Sequence, residues 1–230
     1  MLKRVDIVVL LLISFYLILS LTLNSCMSKN ISKNINESPI ADFSWSPLYP
    51  KVGEQVLFNA SSSYDPDGEI IEYFWSYSFG VQFPEFMGYG KFINYSWSKE
   101  NVYKVTLRVT DNEGLSDTIT KAVIIDGSPP EVFIEKPQPG IYILDRLIIK
   151  LPKTIVSIGF ITIDVYANDN GSGIDMVEFI IDGISKKILF LPPYTYRLDE
   201  KTGLHEVKVI AYDKANYISD EQISIVMFNY

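Results

Sequence analysis

Two short pairs of aspartates are the residues of this chain best suited to bind a metal ion. Asp65 and Asp67 are separated by one proline, and Asp169 precedes Asp175 in a stretch rich in glycine and asparagine. Hard cations such as calcium favour clustered oxygen ligands of this kind, although neither pair begins an EF-hand, because the twelfth position is not a glutamate. Aspartates that accept hydrogen bonds from their own backbone explain the same pattern. The sequence therefore allows a structural calcium site at these four residues, but turn formation without metal is the expected outcome.

Nothing in the sequence has the pattern of a catalytic site. The single histidine, His205, alternates with Val207 and Val209, so we expect it to face the core as a structural residue. It has no nearby cysteine and no second histidine with which to form a zinc site or a nucleophile–base pair. No serine lies in a Gly-x-Ser-x-Gly elbow, and no phosphate-binding glycine loop is present. We therefore predict no catalytic residues, no organic cofactor and no enzymatic activity.

An aromatic segment, residues 79–92, is longer than a bare connection between strands needs. It contains Phe83, Phe86 and Tyr89. Exposed aromatic rings can stack on sugars or fill a pocket of a partner protein. The alternative is that these rings cover the open end of a β-sandwich. The segment is the best candidate for a contact site.

The N-terminus has the pattern of an export signal or a membrane anchor. A positively charged start is followed by the apolar run 7–23 and then by the only cysteine, Cys26. The four residues ending at Cys26 resemble a lipobox. Three outcomes are open for residues 1–26: cleavage with lipidation of Cys26, an uncleaved anchor, and simple secretion. All three place the rest of the chain outside the cytoplasm, with the polar residues 27–38 as a flexible tether to the membrane.

Export has two further consequences for the predicted domains. Neither contains a cysteine, so their cores must hold by packing without disulfides. Asn30 and Asn170 begin Asn-x-Ser sequons in segments that we expect to be exposed, and both are candidate glycosylation sites.

The charge of the chain limits its partners. The formal net charge is −8, and no run rich in lysine or arginine follows the first residues. This composition argues against a surface that tracks phosphates, so nucleic acid is excluded as a partner. We expect an extracellular protein or polysaccharide partner, with membrane contact through the N-terminal segment only.

Alternating apolar and polar residues predict that everything after the tether is β-structure. The inward-facing sets of the first half are Val56/Phe58/Ala60, Ile71/Tyr73/Trp75/Tyr77 and Tyr103/Val105/Leu107/Val109. Those of the second half are Ile161/Ile163/Val165/Ala167, Val177/Phe179/Ile181, Val207/Val209/Ala211 and Ile223/Ile225/Met227. The sequence Gly-Ser-Pro-Pro at 127–130 interrupts the pattern, because prolines remove donors and enforce extended backbone. The fold class is therefore all-β, with two tandem β-sandwiches over 39–127 and 128–230.

The first of these sandwiches resembles a PKD domain, an immunoglobulin-like β-sandwich of extracellular proteins. The segments that carry the resemblance follow the family's order: Asp-Pro-Asp-Gly at 65–68, Tyr-Phe-Trp at 73–75, the strand 102–112 and Gly-Leu-Ser-Asp-Thr at 114–118. The family continues from its tryptophan as Trp-Asp-Phe-Gly-Asp-Gly, whereas Trp75 is followed here by Ser-Tyr-Ser-Phe-Gly, so both acidic positions are lost. The resemblance implies a module that carries or spaces other parts more often than it catalyses.

The second sandwich resembles the immunoglobulin-like repeats that accompany PKD domains in prokaryotic surface proteins. The resemblance rests on the turn sequences 168–174 and 211–216 and on Ile-Asp-Gly at 181–183. The segments 142–146 and 151–159 are similar to an insertion common in archaeal versions, which favours an archaeal source.

These observations predict a non-enzymatic adhesion, binding or spacer module, tethered to the membrane and extracellular. The alternative is an accessory component that binds polysaccharide or protein for an extracellular hydrolase system. A weaker third interpretation is a structural subunit of the cell envelope. Loss of polysaccharide binding on mutation of Phe86 or Tyr89 would favour the second, and ordered self-assembly would favour the third.

Overall fold

The structure is a computed structural model that describes residues 35–229 and, before them, the helical positions 9, 12 and 14–16. Residues Ser38–Tyr230 group into one compact unit. The predicted lipidation at Cys26, the glycosylation at Asn30 and most of the tether lie outside the described residues. Within the described residues, no helix is both long enough and apolar enough to cross a membrane.

Seven strands build the first β-sandwich. They are β1 (Ser44–Ser46), β2 (Val56–Asn59), β3 (Ile70–Ser78), β4 (Glu85–Tyr89), β5 (Phe92–Tyr95), β6 (Asn101–Asp111) and β7 (Ser116–Ile125). One sheet has the order β1-β2-β5 and the other the order β4-β3-β6-β7, and all of these pairs are antiparallel. Strand β4 therefore lies at an edge.

Aromatic rings fill the first core. Trp75 is fully buried and contacts Phe43 at 5.0 Å and Phe58 at 5.6 Å between ring centroids. Its indole N–H donates to the carbonyl of Gly90 at 2.8 Å, so the one polar atom of this ring is satisfied. Tilted and edge-on aromatic pairs of this kind add about 0.5–1.5 kcal/mol each beyond the area they bury. This core explains why the sandwich needs no disulfide.

The predicted inward faces are confirmed in β2 and β6, and one residue of β3 is wrong. Ile71 was expected to face inward, but it is 64% exposed. A β-bulge between Ile70 and Glu72 inserts an extra residue opposite β6, so that Ile70 and Tyr73 pack on the core in its place. A local alternation pattern does not reveal a bulge, because the bulge is defined by the partner strand.

Ten strands build the second β-sandwich. They are β8 (Glu131–Lys136), β9 (Gly140–Ile143), β10 (Arg146–Lys150), β11 (Ile155–Ile158), β12 (Ile161–Asn168), β13 (Ile174–Ile181), β14 (Ile184–Leu189), β15 (Tyr194–Leu198), β16 (Gly203–Asp213) and β17 (Ile218–Phe228). A three-stranded sheet, β15-β12-β8, faces a seven-stranded sheet, β10-β9-β11-β17-β16-β13-β14. The segments predicted as an insertion contain the end of β9, the turn into β10 and all of β11. Strand β11 runs parallel to both β9 and β17. The all-β prediction of two tandem immunoglobulin-like β-sandwiches is confirmed.

Candidate functional site

Three aspartates converge where the two sandwiches meet, and we call them the junction cluster. Asp126 follows β7 of the first sandwich, whereas Asp169 lies between β12 and β13 and Asp213 ends β16 of the second. Each contributes a carboxylate oxygen, and these oxygens lie within 4.8 Å of one another. Asp126 and Asp213 are 0% and 1% exposed, and Asp169 is half-buried. The cluster thus combines three acidic groups from three separate segments in a buried place.

Backbone N–H groups hold part of each carboxylate in position. The donors are Ser128 (3.2 Å) and Ser172 (2.8 Å) to Asp126, Gly173 (2.6 Å) to Asp169, and Tyr217 (2.8 Å) to Oδ1 of Asp213. The other oxygen of Asp213, Oδ2, has no hydrogen-bond partner in the part of the chain that the structure describes. Burial raises the pKa of Asp213, and the nearby charges of Asp126 and Asp169 add to this effect against the opposing N–H groups of Tyr217 and Ala215.

Close backbone approach brings the β12–β13 loop onto Asp126. A Cβ atom on Gly171 would lie 2.6–2.8 Å from the three carboxylate atoms of Asp126, so only glycine fits there. A second contact joins the sandwiches nearby, because Nζ of Lys51 donates to the carbonyl of Asn216 at 2.9 Å and lies 4.2 Å from the ring centre of Tyr217. The junction is therefore a specific packed contact and not a bare linker.

The other predicted metal ligands lie elsewhere. Oδ1 of Asp65 accepts from the N–H of Asp67 at 3.5 Å, as a turn-forming aspartate does, and Oδ2 of Asp65 has no partner among the described residues. Asp175 is exposed at the start of β13. Of the four predicted residues, the structure brings only Asp169 into the junction cluster, and its neighbours there are Asp126 and Asp213.

Two of the predicted aromatic contact residues, Phe86 and Tyr89, lie on the outer face of the first sandwich. Cross-strand pairing places Tyr89 opposite Phe74 and Phe86 opposite Ser76. The rings of Phe74, Phe86 and Tyr89 lie 5.1–5.6 Å apart, and we call this group the aromatic patch. Phe86 is 55% and Tyr89 62% exposed, and Phe83, just before β4, is 94% exposed. The rings of Phe74, Phe86 and Tyr89 thus lie together on the outer face of the sheet, and Phe83 lies in the loop before β4.

A charged pair borders the aromatic patch. The guanidinium of Arg108 lies 4.9 Å from the ring centre of Phe74 and 3.4 Å from a carboxylate oxygen of Glu72. The patch therefore joins an apolar centre to a polar edge, the arrangement typical of protein contact surfaces.

His205 is engaged through both ring nitrogens. Nδ1 lies 2.7 Å from Oδ2 of Asp182, and Nε2 lies 2.7 Å from the carbonyl of Lys201. Burial opposes protonation, but the hydrogen bonds to Asp182 and Lys201 outweigh it and raise the pKa of His205. The ring therefore links Asp182 to Lys201 and stabilises the local turns. Among the described residues, no nucleophile forms a hydrogen bond with it. The sequon residue Asn170 is exposed beside the junction.

Sequence reasoning missed Asp126 and Asp213, and an internal repeat could have indicated the second. Asp65 and Asp169 each lie five residues before the next strand, whose first residue pairs with Asp111 in one sandwich and with Asp213 in the other. Asp126 had no such signal, because its role depends on the contact between sandwiches. Phe74 was also missed as a contact residue, since its part in the patch depends on the pairing of β3 with β4.

Comparison with known proteins identifies the first sandwich. Residues 36–125 match the PKD domain family. The first sandwich is a PKD domain. A microbial collagenase of Vibrio alginolyticus is 35% identical over 75 residues, which are 33% of this chain and 9% of that protein. The pre-pro-metalloprotease PrtV of Vibrio cholerae is 32% identical over 100 residues, 44% of this chain and 10% of that protein. The chain thus spans about a tenth of the length of these relatives.

The chain is also similar to solved structures. The PKD1 domain of Vibrio cholerae PrtV is 30% identical, with a TM-score of 0.31 over 39% of this chain and 99% of that domain. The fibronectin(III)-like modules of Clostridium thermocellum CbhA are 17% identical, with a TM-score of 0.48 over 83% of this chain and 95% of that one. The relatives named here are bacterial, and the archaeal source stays a prediction.

Proposed function

We propose that this chain is a non-enzymatic extracellular binding module whose contact surface is the aromatic patch beside the PKD edge strand. The observation that carries the proposal is that Phe86 and Tyr89 remain more than half exposed while packing against Phe74. Contiguous exposed apolar surface marks interaction sites, and aromatic residues with arginine are the commonest anchors of such contacts. The partner is an extracellular protein or polysaccharide.

The ring geometry favours a protein partner over a flat polysaccharide surface. The three ring pairs are inclined at 35°, 67° and 54° to each other, so the rings form a ridge and not a coplanar platform. A ridge fits a groove or a set of apolar side chains, whereas a crystalline sugar surface needs rings in one plane. Phe83 extends the apolar surface beyond β4.

The rest of the chain supports presentation of this surface away from the cell. The second immunoglobulin-like sandwich packs on the first through the junction and extends the module. The apolar run 7–23 and Cys26 supply the tether to the membrane, and the net charge of −8 supports a partner other than nucleic acid. The only histidine of the chain is occupied by Asp182 and Lys201, which supports a role in binding and not in catalysis.

The second candidate is an accessory component for an extracellular hydrolase. The observation in its favour is that the matching segments lie in proteins named as a collagenase and a metalloprotease, of which they form about a tenth. Such a component would bind the polymer that an enzyme on another chain cleaves. Fibrillar collagen is then the first protein to test.

The test is binding of the full-length chain, in detergent, to fibrillar collagen, microcrystalline cellulose and chitin. Replacing both Phe86 and Tyr89 by alanine removes two anchors of about 1–2 kcal/mol each, so affinity for the bound polymer should fall at least tenfold. The matched control is Phe190→Ala in the second sandwich, where the ring is 63% exposed, and it should bind as the parent does. Binding that the double variant retains would show that the aromatic patch is not the contact. Cleavage of any of these polymers by the purified chain would show that the module is an enzyme.

A further inference from the structure

The junction cluster has negative charge without a matching positive group. The oxygens of Asp126, Asp169 and Asp213 lie within 4.8 Å of one another, a distance at which like charges repel strongly in a buried place. No lysine or arginine of the described residues forms an ion pair within 4.0 Å of any of the three. Two lysines lie at the junction: Nζ of Lys51 donates to the carbonyl of Asn216, and Nζ of Lys214 lies beside Gly173. Folding thus gathers three acids, and neither lysine forms an ion pair with them within 4.0 Å.

A second observation points to a ligand at the same place. Asp213 is only 1% exposed. Its Oδ2 atom has no hydrogen-bond partner among the described residues. Its carboxylate belongs to the converging group formed with Asp126 and Asp169. A buried carboxylate oxygen without a partner is costly, and a bound ion or an ordered water would satisfy it.

We propose that Asp126, Asp169 and Asp213 bind one calcium ion that joins the two sandwiches. Two oxygens that each lie about 2.4 Å from one ion can be at most about 4.8 Å apart, and the three carboxylates meet this limit. The ligands are all oxygens, which suits a hard cation and not zinc or copper. Calcium accepts irregular sets of six to eight oxygens, so loop carbonyls and waters can complete the shell, whereas magnesium demands near-ideal octahedral geometry.

The position of the site defines its effect. Asp126 belongs to the end of the first sandwich, whereas Asp169 belongs to the β12–β13 loop of the second and Asp213 to the end of β16. An ion there would tie the three segments together and fix the angle between the sandwiches. Gly171 allows the loop that carries Asp169 to reach Asp126. The site is separate from the aromatic patch, so the proposal does not depend on the partner of that patch.

The test is a calcium titration of the full-length chain in detergent after treatment with a chelator. Calorimetry should show one saturable site, and calcium at a hundred times its dissociation constant should raise the thermal midpoint by several degrees. Potassium chloride at matched ionic strength controls for simple screening of the acids. The variants are Asp213→Asn and Asp169→Asn, with Asp175→Asn as the matched control, because Asp175 is an exposed acid in the same segment.

The expected result is that both cluster variants lose the calcium shift and that Asp175→Asn keeps it. Asp213→Asn should also be at least as stable as the parent without calcium, since it removes repulsion. If Asp213→Asn fails to fold, Asp169→Asn, whose side chain is only half-buried, decides the question by the same loss. The proposal is overturned if calcium gives no more than the potassium chloride shift, or if the full calcium shift persists in either cluster variant.

Discussion

The turn after β6 in the first sandwich and the turn after β16 in the second have the same backbone but treat their aspartate differently. In both, the aspartate N–H donates to the carbonyl four residues on, at 2.9 Å from Asp111 to Leu115 and 3.2 Å from Asp213 to Tyr217. Oδ1 of Asp111 accepts three N–H groups at 2.6–2.9 Å, whereas Oδ1 of Asp213 accepts one.

A serine accounts for part of this difference. In the first turn the N–H of Glu113 donates to Asp111, but in the second the equivalent N–H of Ala215 donates to Oγ of Ser172 at 3.1 Å. The neighbouring loop therefore shares the N–H of Ala215 with Asp213, whose pKa this N–H still lowers. Equivalent aspartates in the two sandwiches therefore have different roles. Asp111 stabilises its own turn, whereas Asp213 faces two other acids, because the adjacent loop provides a serine hydroxyl for one of the N–H groups.

The largest expected effect on stability is at the turn after β6, where the carboxylate of Asp111 accepts three N–H groups. Asp111→Ala leaves three N–H groups without their charged acceptor, so the free energy of unfolding of the first sandwich should fall by about 3 kcal/mol or more. All three tryptophans of the chain lie in the first sandwich, so denaturation followed by tryptophan fluorescence reports this sandwich. The comparison fails if Asp213→Asn lowers the free energy of unfolding of the second sandwich, followed by circular dichroism, as much as Asp111→Ala lowers that of the first.

A smaller effect is expected where the loop approaches Asp126. Gly171→Ala places a Cβ atom 2.6–2.8 Å from the carboxylate of Asp126, and the resulting shift should destabilise the junction by about 1–3 kcal/mol. Gly203→Ala is the control, because its Cβ would meet only the ring of His205, at an ordinary 3.6 Å. Thermal unfolding followed by circular dichroism measures both. Equal midpoints for the two variants would show that the close contact at the junction contributes nothing.

The smallest expected effect is a pH dependence of stability. Only the second sandwich should show it, because that sandwich contains the only histidine. The pKa of His205 is raised in the folded state, so its pairing with Asp182 stabilises fully below about pH 6.5, the unfolded value, and this contribution is lost as pH rises through the folded pKa. Because Asp182 is largely exposed, we expect less than about 1 kcal/mol. His205→Gln should remove this pH dependence from the second sandwich and leave the tryptophan-reported transition unchanged. An NMR titration giving a pKa for His205 at or below its ordinary value would contradict the prediction.

The sequence alone determined which residues face the two cores, with few exceptions. Burial of Tyr103, Val105, Leu107 and Val109 follows from strict alternation, since successive side chains of a strand point to opposite faces. The Asp-Pro-Asp-Gly turn and the tryptophan strand were enough to indicate the PKD domain. Alternation failed at Ile71, where the bulge depends on the partner strand.

Only the tertiary structure decided where the candidate sites lie. Phe74, Phe86 and Tyr89 become one patch because β4 pairs with β3 at a particular register, which no local pattern specifies. Asp126 and Asp213 meet across two sandwiches although they are far apart in the chain, and Gly171 allows the loop that carries Asp169 to reach Asp126. Periodicity is a property of neighbours in sequence and fixes which way a side chain points. The groups that it meets there are fixed by packing between strands and between domains, and so the chemistry of the junction became visible only in the folded chain.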